Sequence, residues 1–234
     1  MRAKMRVILA WPFYGVLGLF YAGLAVLLMP FFTVSFVEVL KTAGVYTVAA
    51  VALGISITVL SLATSPVNIV IYTLTRREYL PVVDYVVVFG IPIPLPKVAM
   101  REEKSYIAVN LGGAVIPLAV ATFLATKFFS PLLLASILIA ALLTHAVSRV
   151  VPNVGVVTPA LAPPIIAVLS ALIAGGGPVA TYITAVYGTI IGADVLNIKK
   201  VLAYKPPFVS IGGAGVFDGI YLSGVVATAL SGLF

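Results

Sequence analysis

The sequence predicts an all-α integral membrane protein: a bundle of about seven transmembrane helices with one cytoplasmic β-hairpin loop. Three observations carry that expectation. Of 234 residues, 62% are hydrophobic and only 9% charged, with a mean hydropathy of +1.21. A soluble domain carries roughly 25% charged residues, so this chain could not cover a water-facing surface, and the lipid bilayer is its expected solvent. Apolar runs near the length that crosses a hydrocarbon core recur along the whole chain. The basic residues flank those runs and fall overwhelmingly on one side of them.

Taken in order, the spans are 7–31, 43–64, 106–127, 131–148, 163–175, 178–198 and 211–233, read as one transmembrane domain over 1–234. The first is too long for the apolar core of a cleavable signal peptide, which runs roughly 7–15 residues. The fifth is short and follows VPNVGVVTPALAPP (151–164), too rich in Pro and Gly for a regular helix. That stretch is either an interfacial loop or a re-entrant segment beside a cavity. With the N-terminus in the cytoplasm, twelve basic residues fall inside, among them Arg2, Arg76, Lys97, Arg149 and Lys199. Two, Lys41 and Lys127, fall outside. The expected location is the cell membrane, multi-pass, with the N-terminus cytoplasmic and the C-terminus outside.

The long inner loop, 65–105, holds the predicted hairpin. VNIVIYTL (67–74) and VVDYVVVFGI (82–91) are β-branched and aromatic, and TRREYLP between them reads as a polar turn. IPIPLP (91–96) places Pro at every second position, which leaves a strand unable to pair on one side. Such a hairpin either caps the bundle or offers an edge to an extended peptide.

Composition also excludes chemistry. Without cysteine there is no disulfide and no thiolate metal site, and the single histidine, His145, rules out a site needing two imidazoles. No cofactor or resident metal is expected. The net charge of +7 is an orientation signal, and no nucleic-acid partner is expected. Asn110 and Asn153 are lone polar groups suited to bridging helices. His145 reads as a hydrogen-bonded helix-end residue.

Two acidic residues lie inside predicted spans, Asp194 and Asp218. A carboxylate at the bilayer centre costs about 2.5–3.5 kcal/mol on insertion scales, so such residues generally face the bundle interior and mark function. Helical rise puts Asp194 about 7.5 Å from the inner end of its span and Asp218 about 12 Å into the next. Facing carboxyls on antiparallel neighbours are therefore feasible. Gly188 with Gly192, and Gly215 with Gly219, have the spacing that lets helices approach closely. Tyr187 and Asn197 project near Asp194, and Tyr221 lies one turn past Asp218. Two nearby desolvated carboxyls share one proton, which yields an acid and a base for activating a water.

The segment PPFVSIGGAGVFDGIYLSG (206–224), with GADVLNIKK (192–200) before it, resembles a prokaryotic membrane-protein family catalogued only as a domain of unknown function. The resemblance runs along most of the chain and implies no activity. A second resemblance is to the intramembrane aspartyl proteases, the presenilin and prepilin-peptidase group. These place one Asp on one span and a second in a Gly-x-Gly-Asp motif on a later one. Here Gly213-Ala214-Gly215 is followed by Val216-Phe217 before Asp218, and Pro159-Ala160-Leu161 precedes both aspartates where that group has it after them. What this resemblance implies is a diaspartyl endopeptidase using Asp194 and Asp218 on membrane-anchored peptides. Ser223 and His145 similarly resemble a rhomboid dyad, but Tyr221-Leu222 stand where a glycine is expected before the serine. The alternatives are a proton- or cation-coupled transporter using the same two aspartates and a non-catalytic structural membrane protein.

Overall fold

The structure is a computed structural model that describes residues 6–10, 15–152 and 154–232. Asn153 lies outside them. The chain begins with strand β1 (Arg6–Leu9) and continues into helices α1 (Gly15–Thr42) and α2 (Thr47–Thr64). A long hairpin follows, β2 (Val67–Val88) and β3 (Ile91–Asn110). One π-helical turn, Leu111–Val115, then leads into α3 (Ile116–Phe128), and α4 is Pro131–Val147. A small hairpin, β4 (Arg149–Val151) and β5 (Gly155–Val157), precedes α5 (Ala162–Ala171) and α6 (Gly177–Thr189). Another π-helical segment, Ile190–Val195, continues α6 toward α7 (Ile198–Ala203). Strand β6 (Phe208–Ile211) and helix α8 (Gly219–Ser231) close the chain.

Four helices are long and apolar enough to cross a membrane: Gly15–Thr42, Thr47–Thr64, Leu111–Phe128 and Gly177–Ala203. Three shorter apolar helices accompany them: Pro131–Val147, Ala162–Ala174 and Gly219–Ser231. Their roles differ. Within its most apolar window α1 is 11% buried, with Val16, Leu17, Leu19, Phe20 and Leu27 all exposed, whereas the window of Gly177–Ala203 is 61% buried. An apolar face of that size needs lipid against it. So α6 is the central post and α1 an outer wall. At the centre Phe32 and Phe36 of α1 meet Tyr221 of α8 edge to face at 5.2 and 5.9 Å, and Phe36 meets Tyr182 of α6 at 5.8 Å.

The fold is not all-α, which corrects the class expected from sequence. Beside its helices the described chain has six strands, four of which build a mixed sheet in the order β1-β2-β3-β6. The pairs β1/β2 and β2/β3 are antiparallel, and β3/β6 is parallel. The physical reason is that hydropathy scores a buried strand and a buried helix alike. The apolar residues 106–110 were assigned to the third span and 211 to the seventh, yet both belong to strands.

The hairpin also differs in detail. TRREYLP is no turn, because β2 runs through it in continuous register with β3, from Arg76↔Glu103 to Pro81↔Val98. The reversal is at Phe89-Gly90, both with positive φ (51° and 83°), as a two-residue hairpin turn requires. Twenty paired residues make a ribbon about 65 Å long. Pro92, Pro94 and Pro96 lie opposite Val87, Tyr85 and Val83. Alternate prolines fit only by turning the side that lacks an N–H away from β2. Near the tip Lys97 Nζ bonds Asp84 Oδ2 at 2.5 Å and holds that carboxyl below its ordinary range.

Sheet and bundle are joined by buried amides and glycines. Asn110 is fully buried. Its Nδ2 donates to Ser65 O (2.7 Å) and Asn68 Oδ1 (3.1 Å), while its Oδ1 accepts from Gly113 N (2.8 Å). Asn110 therefore caps the start of α3 and ties it to the sheet, instead of bridging two helices. A Cβ on Gly113 would fall against the carbonyl oxygens of Gly212 and Gly215. Gly113→Ala is expected to prevent accumulation of folded protein. Gly23→Ala, where nothing lies within 4 Å, is expected to leave yield unchanged. Detergent-extracted protein measured by size exclusion compares the two.

Candidate functional site

A cavity of about 540 Å3 opens at the sheet end of the bundle. One wall is β6, all four residues of it, with the loop residues Gly213 and Ala214. The β4–β5 hairpin also lines the cavity, together with Ile198, Val201 and Tyr204 on and beside α7. Asn68 lies on the wall as well, and two carboxylates share the space, Asp194 and Asp218. Neither lysine, arginine nor histidine is among the described residues that line it.

The two aspartates are held in different ways. Asp194 sits in the π-helical segment Ile190–Val195, and its carboxylate has no hydrogen bond or ion pair among the described residues. The extra residue in a π turn releases backbone carbonyls from the helical ladder. Here His145 Nδ1 bonds Gly192 O at 3.2 Å, and Asn197 Nδ2 donates to Ala193 O at 2.9 Å. Asn197 is therefore a prop under the turn that carries Asp194, and is itself buried outside the cavity wall.

Asp218 is not a residue deep inside a span, as the helical-rise arithmetic expects. Its backbone is extended (φ −72°, ψ 150°) and it is the N-cap of α8, Oδ1 accepting from Ile220 N at 3.0 Å and Oδ2 from Ala214 N at 3.4 Å. The chain from Lys205 to Phe217 is strand, turn and one 3-10 turn, so the last helix begins at Gly219. A cap oxygen answering orphan N–H groups accounts for an aspartate at this place.

The remaining predicted site residues scatter. Gly213 lines the cavity. Gly215 (φ +63°) lies against Ser65, where a Cβ would come within 2.5 Å of the serine side chain, so it does not face a helix partner through Gly219. Gly219 only touches Thr189, at 3.8 Å from an added Cβ. Tyr187 turns toward α3 and bonds Thr122 Oγ1 at 2.8 Å, and Tyr221 is in the aromatic core. Gly188 and Gly192 do allow close packing, but against Ala140 and Ala141 of α4. Ser223 Oγ takes a bond from Thr189 Oγ1 at 3.0 Å, so Ser223 and His145 have separate partners and form no dyad.

Asn68 was not singled out in the sequence, yet it organises the wall. Its Oδ1 accepts from both Asn110 Nδ2 and Ser210 Oγ (2.6 Å), while its Nδ2 donates to Pro66 O (3.1 Å). A signal was there to be read: V-N-L-G-G-A at 109–114 recurs as V-S-I-G-G-A at 209–214. Each copy ends a strand, the two strands are parallel neighbours, and the polar residue of each bonds the same amide oxygen.

The family comparison covers these elements. A family model described as "Protein of unknown function (DUF1614)" matches residues 62–230, more than two thirds of the chain. The chain belongs to that family. The matched region contains the long hairpin, both glycine-rich crossings, Asp194 and Asp218. No curated protein and no solved structure matches. Within this DUF1614 chain, the site is therefore defined by its own geometry.

That geometry separates the two carboxyls by experiment. Asp218→Ala is expected to cost about 0.5–2 kcal/mol through loss of the cap, and Asp218→Asn much less. Asp194→Asn is expected to match or exceed the parent stability, since a half-buried carboxyl without a hydrogen-bond partner is removed. Thermal unfolding in detergent reads all three.

Proposed function

We propose that the cavity is a membrane-embedded hydrolytic site in which Asp194 and Asp218 act as a carboxyl pair on an extended, membrane-anchored peptide. The observation that carries this reading is that both carboxyls line one cavity with no cationic side chain among its described lining residues. One carboxyl holds a proton while the other is charged, so the pair supplies acid and base together. The charged carboxylate takes a proton from a water whose oxygen attacks the peptide carbonyl carbon. The protonated partner donates to the carbonyl oxygen, and the C–N bond then breaks as the amine nitrogen receives a proton.

The chain path supports seven crossings. Strand β1 pairs with β2, β3 pairs with β6, and the β4–β5 hairpin faces β6 across the cavity. All these connections therefore share one end. The helices between them go out and back as α1 and α2, α3 and α4, α5 and α6, and α8 leaves toward the far side. Among the described residues, ten of twelve basic ones belong to the sheet-side segments, which makes that end cytoplasmic by charge bias. The C-terminus is then outside and the membrane is that of the cell. The shorter helices, at about 1.5 Å per residue, need local thinning or burial among neighbours.

A second reading is favoured by the broken helices. The π segment at 190–195 and the turn with its short 3-10 helix at 212–218 carry the two aspartates and belong to the class of irregular backbone at which transporters bind coupling ions. In this reading the same carboxyls bind a proton or a cation. A purely structural role fits less well, because a scaffold has no need of an unpartnered carboxylate beside an open cavity.

In proteoliposomes the parent protein is expected to cleave a tagged single-span peptide, with Asp194→Asn and Asp218→Asn each abolishing cleavage while remaining folded. Intact peptide with the parent, together with proton or cation uptake that both variants lose, transfers the site to the transport reading.

A further inference from the structure

The cavity has a feature that neither aspartate explains: one of its walls is the unpaired edge of a sheet. β6 is the terminal strand of the order β1-β2-β3-β6, and all four of its residues line the space. Tyr106 N donates to Pro207 O at 3.0 Å, and Tyr106 lies opposite Phe208. In a parallel ladder alternate residues turn N–H and C=O to the same side. Val209 and Ile211 therefore face β3, and Phe208 and Ser210 present their backbone groups away from it, toward the cavity side. Across the gap stands the β4–β5 hairpin, with Val150, Val151 and Val156 on the wall. Extended chain from both sheets lines the cavity together with the two carboxylates, and no basic side chain is among its described lining residues.

We infer that an extended peptide carrying a basic residue adds as a strand to the free edge of β6, between β6 and the β4–β5 hairpin. Main-chain hydrogen bonds to Phe208 and Ser210 supply register, and apolar pockets beside Val156 and Ile198 take alternate side chains. The basic residue answers the charge of Asp194 and Asp218. This inference names the substrate class of the proposed hydrolytic site and rests on that reading for the placement of the scissile bond.

The chain has no cysteine, so one introduced thiol reports alone. The experiment places Val156→Cys in an Asp194→Asn background, which blocks cleavage but keeps the Asp218 carboxyl for the basic residue, in vesicles with a synthetic single-span peptide. On the sheet side the peptide bears a Val/Thr-rich stretch with one lysine and one cysteine. Mild oxidation is expected to form a disulfide between protein and peptide. Its yield should alternate with period two as the peptide cysteine is moved residue by residue, the signature of a strand. Phe208→Pro removes only the outward N–H and is expected to lower the yield roughly tenfold, the equivalent of about 1.4 kcal/mol. Phe208→Ala keeps the N–H and the yield. Yields without period two, equal yields with Phe208→Pro and Phe208→Ala, or no disulfide at all overturn the inference. Period-two cross-linking of a peptide that the parent protein does not cleave supports strand docking and removes the hydrolytic reading. Cleavage without cross-linking does the reverse.

Discussion

The hydrogen bonds received by Asn68 Oδ1 are the constraint on which the rest of this structure depends. A fully buried amide has no bulk water to fall back on, and each orphaned polar group there costs about 1–3 kcal/mol. Here the amide is 1% exposed and each end is engaged, by Asn110 and Ser210 at the oxygen and by Pro66 O at the nitrogen. Because the two donors come from β3 and β6, one oxygen fixes where both strands end. It thereby fixes where both glycine-rich crossings begin. Ser65 extends the same node, its Oγ accepting from Val216 N at 3.2 Å. The loop that leads to Asp218 is thus pinned from two sides before α8 starts.

That pinning explains how a chain so apolar keeps an irregular stretch among its spans. The crossings at 112–113 and 212–215 touch each other, and glycine is needed because a Cβ at Gly112, Gly113, Gly212 or Gly215 would collide with neighbouring backbone or side chain. Close backbone contact of this kind excludes lipid and lets non-helical chain sit beside a cavity. The result is a division of labour: α1 and α2 face lipid, α6 is the post, and the carboxylates lie where the post is broken and where the last helix begins.

Much of this was legible in the sequence, and the misses share a cause. The apolar runs and the asymmetry of basic residues follow from hydrocarbon thickness and charge cost, so the membrane character and the helix-rich regions could be read directly. The pair Asp194 and Asp218 could be found because a carboxylate in an apolar run stands out. Strand was harder. Tyr106–Asn110 and Phe208–Ile211 are as apolar as any helix, and four residues carry too little periodicity to decide between them. The reversal at Phe89-Gly90 lacks the usual Asn-Gly or Asp-Gly signal. Asp218-Gly219 was a legible N-cap, an acid before an apolar run, overlooked because the span was drawn from hydropathy alone. The repeated V-[NS]-[LI]-G-G-A was legible too, and only the structure shows why its polar position matters. Tyr187 and Tyr221 illustrate the opposite error: helical spacing places a residue on a face, but the π turn after Thr189 and the late start of α8 rotate those faces.

The most direct test of the account is proximity of the two carboxylate positions in a native membrane. In the cysteine-free chain, Asp194→Cys with Asp218→Cys can be treated with a short bifunctional thiol reagent. The account predicts an intramolecular bridge between the two positions that weakens when Asn68→Ala releases the loop. Independent labelling of the two thiols with no bridge formed would contradict it, because Asp194 and Asp218 would then not share a cavity.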